Sequence, residues 1–163
     1  GSSSHNTIQF DDQDQMPRIS RFLLGDWLKT DFLKPLVSNE TSTCFGAGYT
    51  NSSGATHRRQ ICLQDDILTA VDDVAGFSKK AILRWRLIPG EWTLKIFSPF
   101  TARLFSKGDN TMVMTITSTV PLVDASLVEG WESRYYLQKT SVPVLELQIG
   151  QSGTLTTEFH YLK

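Results

Sequence analysis

Apolar and polar residues alternate in short runs along most of the chain, and turn-forming residues separate the runs. The alternation is cleanest over residues 81–87, where Ala81, Leu83, Trp85 and Leu87 face one way and Arg84 and Arg86 the other. Residues 6–10 read as a short strand, with Ile8 and Phe10 set against Thr7 and Gln9, and the Asp11-Asp12 step turns it. Residues 16–29 have a different rhythm. Pro17 can open a helical turn, and Ile19, Phe22, Leu23 and Trp27 recur at near-helical spacing, but Gly25 argues against a long helix. The pattern predicts a short helix or ordered loop near residues 17–28 that buries Phe22 and Trp27, followed by a connection over 29–39 containing Pro35.

From Glu40 onward the texture is β. Residues 41–49 form a strand of small residues, bulged at its glycines. Residues 56–63 and 67–74 form two more, the second placing Leu68, Ala70 and Asp72 on one face. Strands follow at 81–87, 92–97, 101–105 and 111–120, the last with Met112, Met114 and Ile116 on one side. Residues 122–129 read as a strand or extended edge and 130–138 as an aromatic-rich connection, and strands at 142–149 and 154–162 close the chain. About ten short strands with regular turn signals predict an all-β fold, an antiparallel sandwich of stacked sheets, as one domain over 1–163.

The composition narrows the function. At 163 residues with 40% hydrophobic content, the chain can bury a proper core. A net charge of −1 argues against an electrostatic nucleic-acid binder; the only dense basic clusters are His57-Arg58-Arg59 and Lys79-Lys80. No apolar run is long enough for a membrane-spanning helix, and the polar start lacks the apolar stretch of a signal peptide. Cys44 and Cys62 each sit in a strand-like run. The simpler reading is two buried free thiols, with a cross-strand disulfide as the alternative; their spacing fits no zinc motif.

Candidate chemistry is sparse. His5, His57 and His160 form no metal-binding pair by spacing. The Asp-rich segments read as turns, and no nucleophile elbow or phosphate loop is present. Trp131, Arg134, Tyr135 and Tyr136 form an aromatic-basic cluster suited to stacking on sugar. The His5-Asn6 pair at the mouth of the first strand stands out, because a compact β-domain has no structural need for it there.

The segment His5-Asn6-Thr7-Ile8-Gln9-Phe10-Asp11-Asp12-Gln13-Asp14-Gln15 resembles a segment of the heparinase II/III-like polysaccharide lyases, in which His-Asn-Thr precedes an alternating strand and an acidic turn. Thr56-His57-Arg58-Arg59, with residues 67–74 carrying Asp72, is similar to that family's His-Arg-Arg strand and its Asp-bearing partner. Gly130-Trp131-Glu132-Ser133-Arg134-Tyr135-Tyr136, followed by Val142-Pro143-Val144-Leu145, resembles its closing segment. Each motif is weak alone; the ordered set spans nearly the whole chain.

The resemblance implies the C-terminal part of a β-domain whose N-terminal α/α toroid lies elsewhere. It implies β-elimination on an acidic, uronate-containing polysaccharide, with catalytic groups mostly on the toroid and none expected in this chain. It also implies that His5 supplies one zinc ligand in the parent, alongside a His and an Asp from upstream strands, so that the fragment alone binds zinc weakly or not at all. Trp131, Arg134, Tyr135 and His57 are then the candidate substrate-contacting residues, although His57 matches a family position without an assigned role. A periplasmic or other extracytoplasmic site suits such a substrate. The alternatives are a carbohydrate-binding module and a structural β-sandwich in cell-surface polysaccharide metabolism.

Overall fold

Period-two alternation buries one face of each strand, and the computed structural model stacks those faces in two antiparallel sheets. The structure describes residues 2–21, 23–108 and 111–162, without the side chains of Thr111, Tyr161 and Leu162. A short 3₁₀ turn (Ser2–Ser4) precedes twelve strands. The smaller sheet has the order β1 (Ile8–Phe10), β6 (Ala81–Arg86), β11 (Thr140–Ile149), β10 (Leu122–Glu132). The larger sheet begins with β2 (Lys29–Ser38), β3 (Ser42–Thr50), β4 (Thr56–Gln64) and β5 (Ile67–Ala75). It continues through β12 (Gly153–Leu162), β9 (Thr111–Ser118), β8 (Thr101–Ser106) and β7 (Trp92–Ser98).

Register shows how the faces meet. In the smaller sheet, Ile8 lies opposite Leu83 and Leu83 opposite Leu147, while Trp85 lies opposite Leu145 and Leu145 opposite Leu127. Trp85 reaches across to the larger sheet. Its Nε1 donates to the buried Thr157 Oγ1 at 3.1 Å, and its ring meets Phe159 edge-on at 5.1 Å. Sequence alternation placed Trp85 in the core, and it is there.

Eight strands face four, so the larger sheet overhangs the smaller. One inward-facing row runs Phe45, Ile61, Ala70, Thr157, Ile116, Ala102, Ile96 across seven strands. Its centre is fully buried, whereas Phe45 is 45% and Ile96 53% exposed. Leu33, in the adjacent row through Ala47, is 75% exposed. Apolar side chains therefore continue past the rim of the smaller sheet.

The structure revises several sequence expectations. Of the two forms expected near residues 17–28, the structure has the ordered loop and not the helix, with an isolated bridge between Arg18 and Leu24 and a Gly25 N–H donating to Pro17 O at 2.8 Å. Ile19 packs over Gly25, with its Cδ1 2.7 Å from where a Cβ would lie. Trp27, expected to be buried, is 81% exposed; Phe22 lies outside the described residues. The expected connection over 29–39 is strand β2. Pro35 is tolerated there because β2 is the sheet's edge and its register shifts between Lys34 and Val37. The expected connection over 130–138 begins as strand, since β10 runs through Glu132. The cysteines are not free thiols: Cys44 and Cys62 are direct cross-strand partners with Cα atoms 4.1 Å apart, and a disulfide joins them.

Replacing Trp85 with Ala removes the contact on which both sheets converge. Trp85→Ala should cost about 3–5 kcal/mol of unfolding free energy by urea titration, whereas a loss below about 1 kcal/mol would place the ring outside the core.

Candidate functional site

The site is built around the N-terminal segment and the buried charges that hold it. Strand β5 turns Asp72 inward on the face it shares with Ala70 and Val74, and register sets Arg59 of β4 directly opposite. Asp72 is fully buried. Its Oδ1 accepts from Arg59 Nε and from His57 Nε2, both at 2.6 Å, and its Oδ2 accepts from Arg59 Nη2 at 3.0 Å. Burial alone would raise the Asp72 carboxyl pKa; the His57 hydrogen bond and the Arg59 charge outweigh it and hold the group below its ordinary value. Asp72 is thus ionised, and the His57 Nε2–H donates to it.

Arg59 carries the network outward. Its Nη1 donates to the carbonyl oxygen of Asn6 at 2.6 Å, and its guanidinium lies 4.5 Å from the centroid of the Trp85 ring. Asn6 Oδ1 accepts the backbone N–H of Arg86 at 2.7 Å, and Thr7 O accepts that of Arg84 at 3.0 Å. Gln15 Nε2 donates to Thr7 Oγ1 at 2.9 Å and to Tyr49 Oη at 2.8 Å. Burial pushes the Tyr49 phenol up to about 12, so it stays neutral within this set. Asp11 fixes the other end of β1 by accepting from the backbone N–H groups of Ser78, Lys79 and Lys80 at 2.7–3.0 Å. The segment bearing His5 is therefore anchored to both sheets.

His5 itself is exposed. It borders an open cleft of about 380 Å³ whose lining includes Asn6, Arg86, Glu132 and Arg134. Arg86 lines the cleft, its Nη2 donating to the carbonyl of Trp131. Gly130 leaves room for this, since a Cβ there would meet Val144 Cγ2 at 2.6 Å and Arg86 Nη1 at 3.1 Å. Arg134 Nε pairs with Glu132 Oε1 at 2.7 Å. Two guanidinium groups, an imidazole and one carboxylate thus line the cleft, an excess of cationic donors suited to anionic groups on a ligand.

The structure brings together some of the residues singled out from sequence and separates others. His5 and Arg134 share the cleft. Trp131 leaves β10 on the face opposite Glu132, is half exposed, and carries the Lys139 ammonium 5.0 Å from its ring centroid. Tyr135 lies in the exposed turn beyond β10. His57 is only 5% exposed and is bonded to Asp72 inside the sandwich, away from the cleft, so its observed partners are structural. His160 sits on the outer face of β12 beside Glu158. Arg86 and Arg59 were missed as site residues. The alternation around Trp85 carried the signal for Arg86, while Arg59 emerges only once β4 is in register with β5. Among the described residues no three His, Cys, Asp or Glu side chains converge on one point, so the donors present here do not by themselves fit a zinc ion.

Residues 1–143 match a family model described as "Heparinase II/III-like, C-terminal". The fold is similar to a solved heparinase III gene product, with a TM-score of 0.73 and 16% identity over 99% of this chain and 24% of that one. It is similar to heparan sulfate lyase HepC from Pedobacter heparinus, with a TM-score of 0.75 and 11% identity over 98% of this chain and 24% of that one. A further heparinase III structure aligns with a TM-score of 0.67 and 12% identity, over 97% of this chain and 23% of its own. At such identities these likenesses show a shared fold. The chain spans about a quarter of the length of these structures. Comparison with curated proteins by sequence returns no match.

Asp72→Asn leaves Arg59 without its counter-charge and should cost about 3–5 kcal/mol at neutral pH. A depressed carboxyl pKa contributes stability that is present above the ordinary value of 3.8 and lost as the pH falls through the lowered one. The unfolding free energy of the native chain should therefore fall on acidification below about pH 4, and that of the Asp72→Asn chain should fall less steeply. Parallel pH profiles would remove Asp72 from this role.

Proposed function

The chain belongs to the heparinase II/III-like C-terminal domain family, and from that premise we propose that it is the C-terminal β-domain of a polysaccharide lyase. Its reaction is β-elimination: a base takes the proton at C5 of a uronate, the neutralised carboxylate stabilises the developing charge, and the 4-O leaving group is protonated. The observation that carries this reading is the cleft that joins His5 to Arg86 and Arg134 on a rigidly anchored segment. The groups that do chemistry come from the toroid of the longer parent. This chain binds and orients an acidic polysaccharide along one wall of the catalytic cleft, through Arg134 and Arg86, with Trp131 and Tyr135 stacking on sugar rings at its border.

Two features support a place within a larger protein. Apolar side chains extend past the smaller sheet at Leu33 and Phe45, as expected of a layer that packs against further protein. The Cys44–Cys62 disulfide suits an oxidising, extracytoplasmic setting. His5, exposed and held in place, is offered as one ligand of a zinc ion whose remaining ligands lie in the parent outside this chain. Exposed Trp131, Tyr135 and Tyr136 favour a second reading, a carbohydrate-binding module without a catalytic partner.

The test is a lyase assay on uronate polymers, following the ultraviolet absorbance of the unsaturated product. This chain alone should be inactive, and the protein extended upstream through the toroid should be active. In the extended protein, Arg134→Ala should raise KM roughly tenfold with little change in kcat. An inactive extended protein, with glycan binding retained by this chain, would support the binding module instead.

A further inference from the structure

The outer face of the larger sheet carries an arrangement that the lyase reading leaves unexplained. Strands β7 and β8 pair with Lys95 directly opposite Arg103. Like charges set directly opposite each other destabilise an antiparallel pair. Both side chains are exposed, and neither joins an ion pair among the described residues. They rest on aromatic rings instead: Lys95 Nζ is 5.6 Å from the Phe105 centroid and Arg103 Cζ is 5.1 Å from that of Phe97. Along this row the next residues are Thr115 and then Glu158, which at usual strand spacing is about 10 Å past Arg103. Glu158 lies 3.4 Å from His160 Nε2.

Edge protection does not explain the pair. A lysine on β7 would blunt the free edge of the sheet, but Arg103 lies one strand inside it. Phe97 lies beside the pair. It falls in the register shift between Ile96 and Ser98, and its exposed ring meets Arg103. Beside the charges, Thr101, Thr117 and Thr156 lie in adjacent register on the same face and present hydroxyl groups. Two unneutralised cations across one strand spacing, an exposed ring and neighbouring hydroxyls match a sugar bearing a carboxylate or sulfate.

We propose that the outer face of β7–β9 is a second binding surface for acidic polysaccharide. Lys95 and Arg103 share one anionic group of the polymer, Phe97 lies against the sugar ring, and the threonine hydroxyls meet its hydroxyl groups. The surface rests on the reading of the parent's polymer as an acidic polysaccharide. It is separate from the cleft, which lies among the N-terminal segment, β6, β10 and β11, and it holds the polymer at a point away from the bond that breaks.

The experiment measures binding of this chain to an immobilised sulfated uronate polymer at two salt concentrations. A Lys95→Ser/Arg103→Ser variant should bind roughly tenfold more weakly and with a shallower salt dependence. Its melting temperature should hold or rise, since the substitutions remove a repulsion. Phe97→Ser should weaken binding with both charges in place. Unchanged affinity in the double variant overturns the proposal, as does absence of binding by the native chain. Equally tight, equally Lys95- and Arg103-dependent binding to polyglutamate overturns the assignment to sugar. Loss in Arg134→Ala alone leaves only the cleft, and loss in the double variant alone leaves only the outer surface.

Discussion

A single carboxylate buried between two sheets sets the geometry of the N-terminal end of this domain. Asp72 has no exposed surface, and an ion so placed is costly unless its partners are close and well directed. Arg59 and His57 meet that condition with three hydrogen bonds. The same arginine then reaches Asn6 and lies over Trp85. One guanidinium thus links the buried charge, the packing between the sheets and the segment that bears His5. Removing Asp72 or Arg59 leaves the other without its counter-charge, so the segment's position is coupled to the stability of the sandwich.

The unequal widths of the sheets decide where the surface can work. Four strands cover the middle of eight, and the apolar rows emerge at both ends. At the smaller sheet's rim, β10 runs past its inward-facing core and delivers Glu132 and then Arg134 beside His5. Arg86 ties that rim to Asn6 and Trp131. The cleft is therefore made of strand ends and an anchored terminus, which are more rigid than free loops.

Sequence alone revealed what depends on local period. The row of Ala81, Leu83 and Trp85 declared its buried face through alternation, and the turn residues marked most strand ends. Features that depend on register stayed hidden. Cys44 and Cys62 are 18 residues apart, and only the pairing of β3 with β4 makes them neighbours. Asp72 was visible on one face with Leu68 and Ala70, but its partner Arg59 lies across a strand pair. The expected burial of Trp27 failed because Ile19, Leu23 and Trp27 repeat at helical spacing without a core to face, and β2 misled because Pro35 disqualifies a central strand but not an edge one. The His5 segment was legible through its resemblance to a family, and its anchoring through Arg59 was not.

The central claim is that Arg59 locks the N-terminal segment to the sandwich. Amide hydrogen exchange in an Arg59→Lys variant tests it most directly, read at Arg84 and Arg86, whose N–H groups donate to Thr7 and Asn6. The account predicts that these two amides exchange roughly tenfold faster than in the native chain, relative to amides of β9 and β12. Unchanged relative protection at both would show that the segment is held without Arg59 and would contradict the account.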